Sequence, residues 1–93
     1  MREKELERKF VKAVKARGGM AVKFISPGFD GVPDRIALLP KGIIAFVELK
    51  STGKKMRGIQ IKRKRQLEAL GFSVYCIDRI EQIRGVLDEI NKG

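Results

Sequence analysis

Histidine is absent from this sequence, and cysteine occurs only once, as Cys76. A single cysteine cannot form an internal disulfide, and it leaves no ligand set for a zinc site of the cysteine and histidine kind. The absence of histidine also excludes Ser-His-Asp and Cys-His catalytic systems. Any catalysis must therefore use carboxylates, lysine, or a hard metal ion bound through oxygen.

Long apolar runs are missing as well. Residues 1–5 read MREKE, which is charged where a signal peptide would be apolar, and no stretch approaches the roughly 18 apolar residues of a membrane span. We therefore expect an intracellular protein located in the cytoplasm.

Acidic residues are few, since 11 Asp and Glu stand against 21 Lys and Arg and leave a net charge of +10. The hydrophobic fraction of 43% is too high for a disordered polycation, and the length suits one domain, which we assign to residues 1–93. A chain this short buries only about 60 to 65% of its unfolded surface. A second copy would add stability, so we expect a homodimer.

The spacing of apolar residues predicts three helices and four strands in the order α-β-β-β-α-β-α. The helices are expected at 3–17, 59–70 and from residue 80 to the C-terminus, and the strands at 20–25, 35–39, 43–50 and 72–77. The second and third strands are apolar on both faces, which is typical of central strands covered by helices on both sides. This order predicts an α/β fold with a mixed central sheet flanked by helices.

The second and third strands form a hairpin whose loop fixes the pairing of the residues around it. A three-residue loop with glycine in the left-handed position pairs Leu39 with Ile43, and therefore Asp34 with Glu48. Directly opposed residues have Cβ atoms about 4.5 to 5.5 Å apart, close enough for two carboxylates to share one divalent cation. Period-two alternation places Lys50 on the same face as Glu48.

An ordinary structural role is the alternative for these charged residues. Asp34 would then be a turn residue at a strand start, and Glu48 and Lys50 a charge pair at a strand end. We favour a site because a charged Glu-Leu-Lys sequence ends an otherwise apolar strand and faces an aspartate that follows Gly-Val-Pro. Local conflicts of this kind with simple core formation tend to mark functional sites.

Several motifs of the chain resemble a known nuclease family. Pro33-Asp34 followed by Glu48-Leu49-Lys50 is similar to the signature of the PD-(D/E)XK nuclease superfamily, whose core has the strand and helix order predicted above. The extended segments FISPGFDGVPDR at 24–35 and FVELK at 46–50, with a glutamine placed eleven residues before a glycine, resemble the stand-alone virus-type replication-repair nuclease (VRR-NUC) domain. The resemblance covers nearly the whole chain and implies a restriction-endonuclease-like core.

The resemblance implies a Mg²⁺-dependent phosphodiesterase, with Mn²⁺ as a substitute, in the cytoplasm of a bacterial cell or a phage-infected host. Asp34 and Glu48 would bind the metal, with the Leu49 carbonyl as a further ligand. Lys50 would position or deprotonate the attacking water and stabilise charge on the scissile phosphate. Gln60 matches the glutamine of the family, and its alternative is an amide that serves solvation of a helix face.

The family also places a glutamate of the first helix at the metal site, and the sequence offers Glu3 and Glu7. At 100° per residue Glu3 lies on the line of Leu6, Phe10 and Val14, whereas Glu7 lies toward the edge of that stripe. We therefore favour Glu3 over Glu7. The alternative is that both are solvated acids that complement the helix dipole.

A run of positive charge follows the Glu-Leu-Lys strand. Its seven cations, with no acid among them between residues 51 and 65, are Lys54, Lys55, Arg57, Lys62, Arg63, Lys64 and Arg65. Unbalanced cations repel one another, so contact with nucleic-acid phosphates is favoured over a simple solvated face. The run contains no aromatic residue, which favours a duplex or branched backbone over base stacking on single strands.

The leading hypothesis is a metal-dependent endonuclease that hydrolyses DNA phosphodiester bonds. By analogy with small members of the family, the substrate would be branched DNA such as a Holliday junction, cut by a homodimer with two sites related by symmetry. The second hypothesis is a non-catalytic basic DNA-binding domain that keeps the nuclease fold. The third is a basic accessory protein that docks on an acidic partner.

Overall fold

The computed structural model describes residues 1–92 and contains three helices and four strands in the predicted order. Gly93, the last residue of the predicted domain, lies outside the described residues. The elements are α1 Glu3–Ala16, β1 Met20–Lys23, β2 Arg35–Leu39, β3 Ile43–Leu49, α2 Gly58–Ala69, β4 Ser73–Ile77 and α3 Gln82–Lys92, with a short 3-10 turn at Pro40–Gly42. Across residues 1–92, no helix is both long enough and apolar enough to cross a bilayer.

The four strands form one mixed sheet in the order β1-β2-β3-β4. The first three strands are antiparallel neighbours, and β4 runs parallel to β3. In the β2–β3 hairpin, Leu39 pairs with Ile43 and Arg35 pairs with Val47. This is the predicted register, and its continuation by one residue places Asp34 opposite Glu48.

Helices α1 and α3 cover one face of the sheet and form the main core with it. Leu6, Phe10 and Val14 recur at helical spacing on α1 and are fully buried, which by itself stabilises the fold by about 1.5 to 3 kcal/mol per side chain. Ile83, Leu87 and Ile90 form the matching stripe on α3. Small and branched residues of the strands complete this core, namely Ala21, Ala37, Leu39, Ala45, Val47, Leu49 and Ile77.

The opposite face of the sheet is covered only in part. Met20, Leu38 and Ile44 are paired across β1, β2 and β3, and Met20 and Ile44 keep 61% and 43% of their surface exposed. Helices flank the sheet as predicted, but they leave this half of the second face open. The reason lies in α2, which buries only Gln60 and has no apolar stripe with which to cover the strands.

The ends of some elements differ from the prediction, and each difference has a local cause. The strand β1 ends at Lys23, two residues early, yet the Phe24 N–H still donates to the Asp34 carbonyl at 2.9 Å. The helix α3 begins at Gln82, whose side-chain Oε1 accepts from the backbone N–H groups of Asp78 and Arg79 at 2.9 and 3.1 Å. These two bonds satisfy donors in the turn that precedes the helix.

Candidate active site

Asp34 and Glu48 lie side by side where β2 begins and β3 ends, and each is bonded to the backbone of the other's strand. The Asp34 N–H donates to Glu48 Oε1 at 3.1 Å, and the Leu49 N–H donates to Asp34 Oδ2 at 2.9 Å. Each carboxylate therefore uses one oxygen to hold the two strands together. The second oxygen of each, Asp34 Oδ1 and Glu48 Oε2, takes part in neither bond.

Glu48 is buried, with 1% of its surface exposed, although it carries a carboxyl group. The pKa of Glu48 is raised to about 7, chiefly by burial and then by the charge of Asp34 and a side-chain hydrogen bond with Asp34, while Lys50 opposes the rise. The Lys50 ammonium lies 3.5 Å from Glu48 Oε2. Lys50 thus lies on the predicted face, even though the regular strand ends one residue before it and only its N–H, bonded to the Ile77 carbonyl, continues the sheet.

This arrangement fits a hard divalent cation. Two carboxylates held close together repel each other, and burial removes the water that would screen them. One lysine compensates only part of this charge, and carboxylate oxygens are the ligands that Mg²⁺ prefers. Within residues 1–92, however, no group of three or more His, Cys, Asp or Glu side chains is placed to hold an ion. Any further ligands would have to be backbone carbonyls, water or substrate.

The two candidate glutamates of α1 lie in different surroundings. Glu3 is exposed, although its helical angle aligns it with the buried residues of α1. Glu7 is half-buried and accepts from Arg35 Nε at 2.9 Å. Arg35 also donates to the Ala21 carbonyl at 2.9 Å. The participation of either glutamate at the metal site stays a prediction.

Gln60 lies in the first turn of α2 and points inward, as the sequence predicts, with 8% of its surface exposed. Its Oε1 accepts from the Arg57 N–H at 2.8 Å, so the side chain also caps the start of the helix. Next to it, Ile59 is in close contact with Gly31, whose φ is +85°. A Cβ at Gly31 would lie 2.8 Å from the Ile59 carbonyl oxygen, so the glycine is required for this approach of the loop to α2.

The seven cations of the basic run divide into two groups. Arg63 donates to the Asp30 carbonyl at 2.6 Å and to Gln66 Oε1 at 3.0 Å, and Lys64 pairs with Glu68 at 2.8 Å. These two side chains are therefore engaged within the protein. The other five are exposed, namely Lys54, Lys55, Arg57, Lys62 and Arg65.

The sequence did not predict two contacts near the site. One is the ion pair of Arg35, next to Asp34, with Glu7. The only sign of it in the sequence is an indirect one, a charged residue in an otherwise apolar strand. Phe29 lies under Arg63, with the guanidinium carbon 3.7 Å from the ring centroid. The basic run lacks aromatic residues in sequence, but folding brings one to it from a loop more than thirty positions earlier.

Comparison with known proteins agrees with the geometry. No protein-family model matches the chain. A relative named "Putative nuclease p44", from Acyrthosiphon pisum secondary endosymbiont phage 1, is 41% identical over 91 residues, which is 98% of this chain and 97% of the relative. A solved structure described as a VRR-NUC domain matches with a TM-score of 0.86 and 25% identity, covering 92% of this chain and 94% of that one. The expected family is thereby confirmed, and this chain belongs to the VRR-NUC nucleases.

Proposed function

We propose that residues 1–93 form a Mg²⁺-dependent endonuclease domain that hydrolyses DNA phosphodiester bonds, with Mn²⁺ as a substitute metal. The observation that carries this proposal is the pair of carboxylates of Asp34 and Glu48, locked to each other's strands with Lys50 beside them. A structural role alone would be served by an uncharged pair, which would avoid the repulsion between two acids and the burial of one of them.

Each residue of the site has a role that follows from its position. Asp34 and Glu48 would hold the metal through the oxygens that are free of backbone bonds, with the Leu49 carbonyl as a further ligand. A bound divalent cation lowers the pKa of water and neutralises charge on a phosphate. Lys50 would orient the attacking water and stabilise charge on the scissile phosphate. Gln60 already uses its Oε1 as a cap, so it would contact the substrate through its amide NH₂ group.

The substrate we propose is DNA that is duplex or branched, such as a Holliday junction, in the cytoplasm of a bacterial cell or a phage-infected host. The five exposed cations of the basic run follow the Glu-Leu-Lys strand directly and precede or lie on α2. Contacts with phosphates through such side chains are independent of sequence. They weaken as salt rises, because the release of counterions from the DNA is then less favourable. The relative from a phage supports this setting.

We propose further that the protein acts as a homodimer through the uncovered half of the sheet. The chain exposes 6170 Å², against about 5,400 Å² expected for a folded monomer of 10.5 kDa. The excess of about 750 Å² is close to the roughly 800 Å² that each partner buries in a standard interface. Met20, Val22, Leu38 and Ile44 lie on one face of the sheet and define this apolar face. A two-fold axis there would give two sites related by symmetry.

The experiment that tests the nuclease is incubation with four-way junction, flap and linear duplex DNA in Mg²⁺ or Mn²⁺. Asp34→Asn and Lys50→Ala should each abolish cleavage, whereas both should still bind DNA. Asp30→Asn is the matched control, because Asp30 is an exposed aspartate of the preceding loop whose backbone carbonyl, and not its side chain, is bonded to Arg63. Cleavage by Asp34→Asn equal to that of the unmodified protein would contradict the mechanism.

The second candidate function is a DNA-binding domain without catalysis. It is favoured by Gln60 acting as a helix cap and by the lack, among residues 1–92, of a third acidic side chain placed to share an ion with Asp34 and Glu48. It predicts metal-independent binding and no cleavage of any of the three substrates. The same experiment therefore decides between the two functions.

A further inference from the structure

The loop between β1 and β2 presents an exposed aromatic ring close to the candidate active site. The Phe24 N–H donates to the Asp34 carbonyl at 2.9 Å, which closes the loop at its base, with Asp34 itself at the closing position. Near the tip, Phe29 keeps 46% of its surface exposed. Leu70, which is 74% exposed, lies on the same surface, and an exposed patch of large apolar side chains requires an explanation where a single one would not.

Several contacts fix the conformation of the loop, and this conformation keeps Phe29 exposed. The Phe29 N–H donates to the Ser26 carbonyl at 3.1 Å, which closes a turn. Arg63 of α2 donates to the Asp30 carbonyl and stacks on the Phe29 ring at 3.7 Å. On the other side of the tip, Gly31 packs directly on Ile59. Two contacts with α2 thus hold the ring beside the basic run.

A cavity of about 420 Å³ opens beside the ring, between the loop and α2. Its walls are largely apolar and include Phe24, Val32, Leu67 and Leu70, and its polar side chains are Arg63 and Gln66. This volume lies within the range of pockets that take small flat ligands, about 300 to 1,000 Å³. An apolar pocket with an aromatic wall and a guanidinium is the chemistry that recognises a nucleobase which has left its stack.

We propose that Phe29 stacks on an unpaired nucleobase of the DNA substrate at the mouth of this cavity, and that this contact makes the enzyme selective for DNA with unpaired or distorted positions. The inference rests on the proposed nuclease function and adds to it the class of substrate. The cations of α2 attract the backbone, and a paired base cannot reach the ring without the cost of unstacking. Gapped and bulged DNA supplies bases for which that cost is already met, and base pairs next to a branch point are easier to open than those inside a duplex.

The position of Phe29 in the chain limits where the contact lies relative to the cut. Asp34 lies five positions after Phe29, so their Cα atoms are at most about 18 Å apart. With the reach of the two side chains added, and at about 3.4 Å per nucleotide along one strand, the unpaired base lies within about ten nucleotides of the scissile bond. Cleavage mapped on DNA with one bulged base should therefore fall inside this distance.

The direct test uses fluorescence, because the chain contains no tryptophan. Phe29→Trp introduces a single indole at the proposed contact, and base stacking quenches indole emission. In EDTA, where no cleavage occurs, gapped or bulged DNA should quench this emission, and the fully paired duplex of equal length should leave it unchanged. Phe72→Trp is the matched control, since Phe72 is similarly exposed at 41% but packs edge-on to Phe46 without a cation over its ring.

Affinity gives an independent measurement. Phe29→Leu keeps an apolar side chain and removes the aromatic face, so it should weaken binding to bulged DNA about 5- to 150-fold, the range for the loss of one base stack, and leave duplex affinity unchanged. Phe29→Trp should restore the preference. Equal affinities of Phe29→Leu and the unmodified protein for bulged DNA, or equal quenching of Phe29→Trp by duplex and bulged DNA, would overturn the proposal. Either result would leave the dependence of cleavage on Asp34 intact, so the two proposals fail separately.

Discussion

The backbone N–H of Asp34 donates to Glu48 Oε1 across 3.1 Å, so the residue that offers one carboxylate is positioned by the other. The Leu49 N–H completes the exchange by donating to Asp34 Oδ2. The two acids are therefore joined parts of one structure, and neither can move without breaking a bond between strands. This coupling keeps the Glu48 carboxyl buried beside a second acid, and it makes the stability of the metal-free protein depend on pH.

We predict that the free energy of unfolding of the metal-free protein falls as pH rises between about 4.5 and about 7. Burial first, and then Asp34, raises the pKa of Glu48 from 4.5 to about 7. A carboxyl whose pKa is higher in the folded state binds its proton more tightly there, so its stabilising contribution is complete at low pH and is lost as that proton leaves. Glu48→Gln can still accept from the Asp34 N–H but does not titrate, and it should lack this decrease.

The measurement is the thermal midpoint in EDTA at about pH 5 and about pH 8, followed by circular dichroism. Glu81→Gln serves as the control because Glu81 is exposed and should keep the decrease of the unmodified protein. The decisive quantity is the difference between the two variants, since other groups contribute equally to both. The same decrease in Glu48→Gln as in Glu81→Gln would show that Glu48 does not hold the proton.

Gly31 should tolerate substitution less well than Gly28, although both have positive φ, +85° and +77°. Alanine in the left-handed conformation costs about 1 to 2 kcal/mol at either position. At Gly31 the new Cβ would also lie 2.8 Å from the Ile59 carbonyl oxygen, whereas at Gly28 it would meet nothing within 4 Å. Gly31→Ala should therefore destabilise the protein more than Gly28→Ala, as measured by the urea midpoint. Equal midpoints would mean that the approach of the loop to α2 is not tight.

The hairpin and its site could be predicted from the sequence because they depend on local rules. A loop of fixed length sets the register of two adjacent strands, and that register alone puts Asp34 opposite Glu48. The environment of the first-helix glutamates depends instead on how α1 docks on the sheet. Helical periodicity favours Glu3 over Glu7, but it does not reveal which residue of another element a side chain will meet. Arg35 reaches Glu7 from 28 residues away.

The contact between Phe29 and Arg63 could not be predicted from the sequence either. The sequence separates the two residues by a whole hairpin, so no pattern within a window of either residue indicates a contact. The sequence also could not predict that half of one sheet face stays uncovered, because β3 is apolar on both faces. Only the polarity of the 59–70 helix, with its many cations, hinted that it could not bury such a surface.

The exposed cations of α2 should carry more of the salt dependence of DNA binding than those that pair within the protein. Lys62→Gln with Arg65→Gln removes two exposed cations, which should lower the slope of log K against log salt by about 1.8 if each contacts one phosphate. Fluorescence anisotropy with junction DNA over a salt series gives this slope. Lys12→Gln with Arg84→Gln is the control, because these cations line the groove between α1 and α3. An unchanged slope in the α2 variant would remove α2 from the binding surface.

The apolar face of the sheet should control the oligomeric state. Ile44 pairs with Leu38 of β2 and keeps 43% of its surface exposed. Ile44→Glu would place a charge in the centre of the proposed interface. A buried charge without a partner is costly in an interface, and two-fold symmetry would bring two such charges together, so the variant should be monomeric. Sedimentation equilibrium measures the mass directly.

Ile25→Glu provides the matched control for this prediction. Ile25 is 76% exposed and lies in the loop after β1, outside the apolar face, so the same substitution there should leave the dimer intact. Circular dichroism should show that both variants are folded, because neither side chain belongs to the buried core. A dimer that persists in Ile44→Glu, or a monomer in the unmodified protein at all concentrations, would contradict the interface. If Ile44→Glu is monomeric and still nicks linear duplex DNA while failing to cut both strands of a junction, then the two sites act as a symmetric pair.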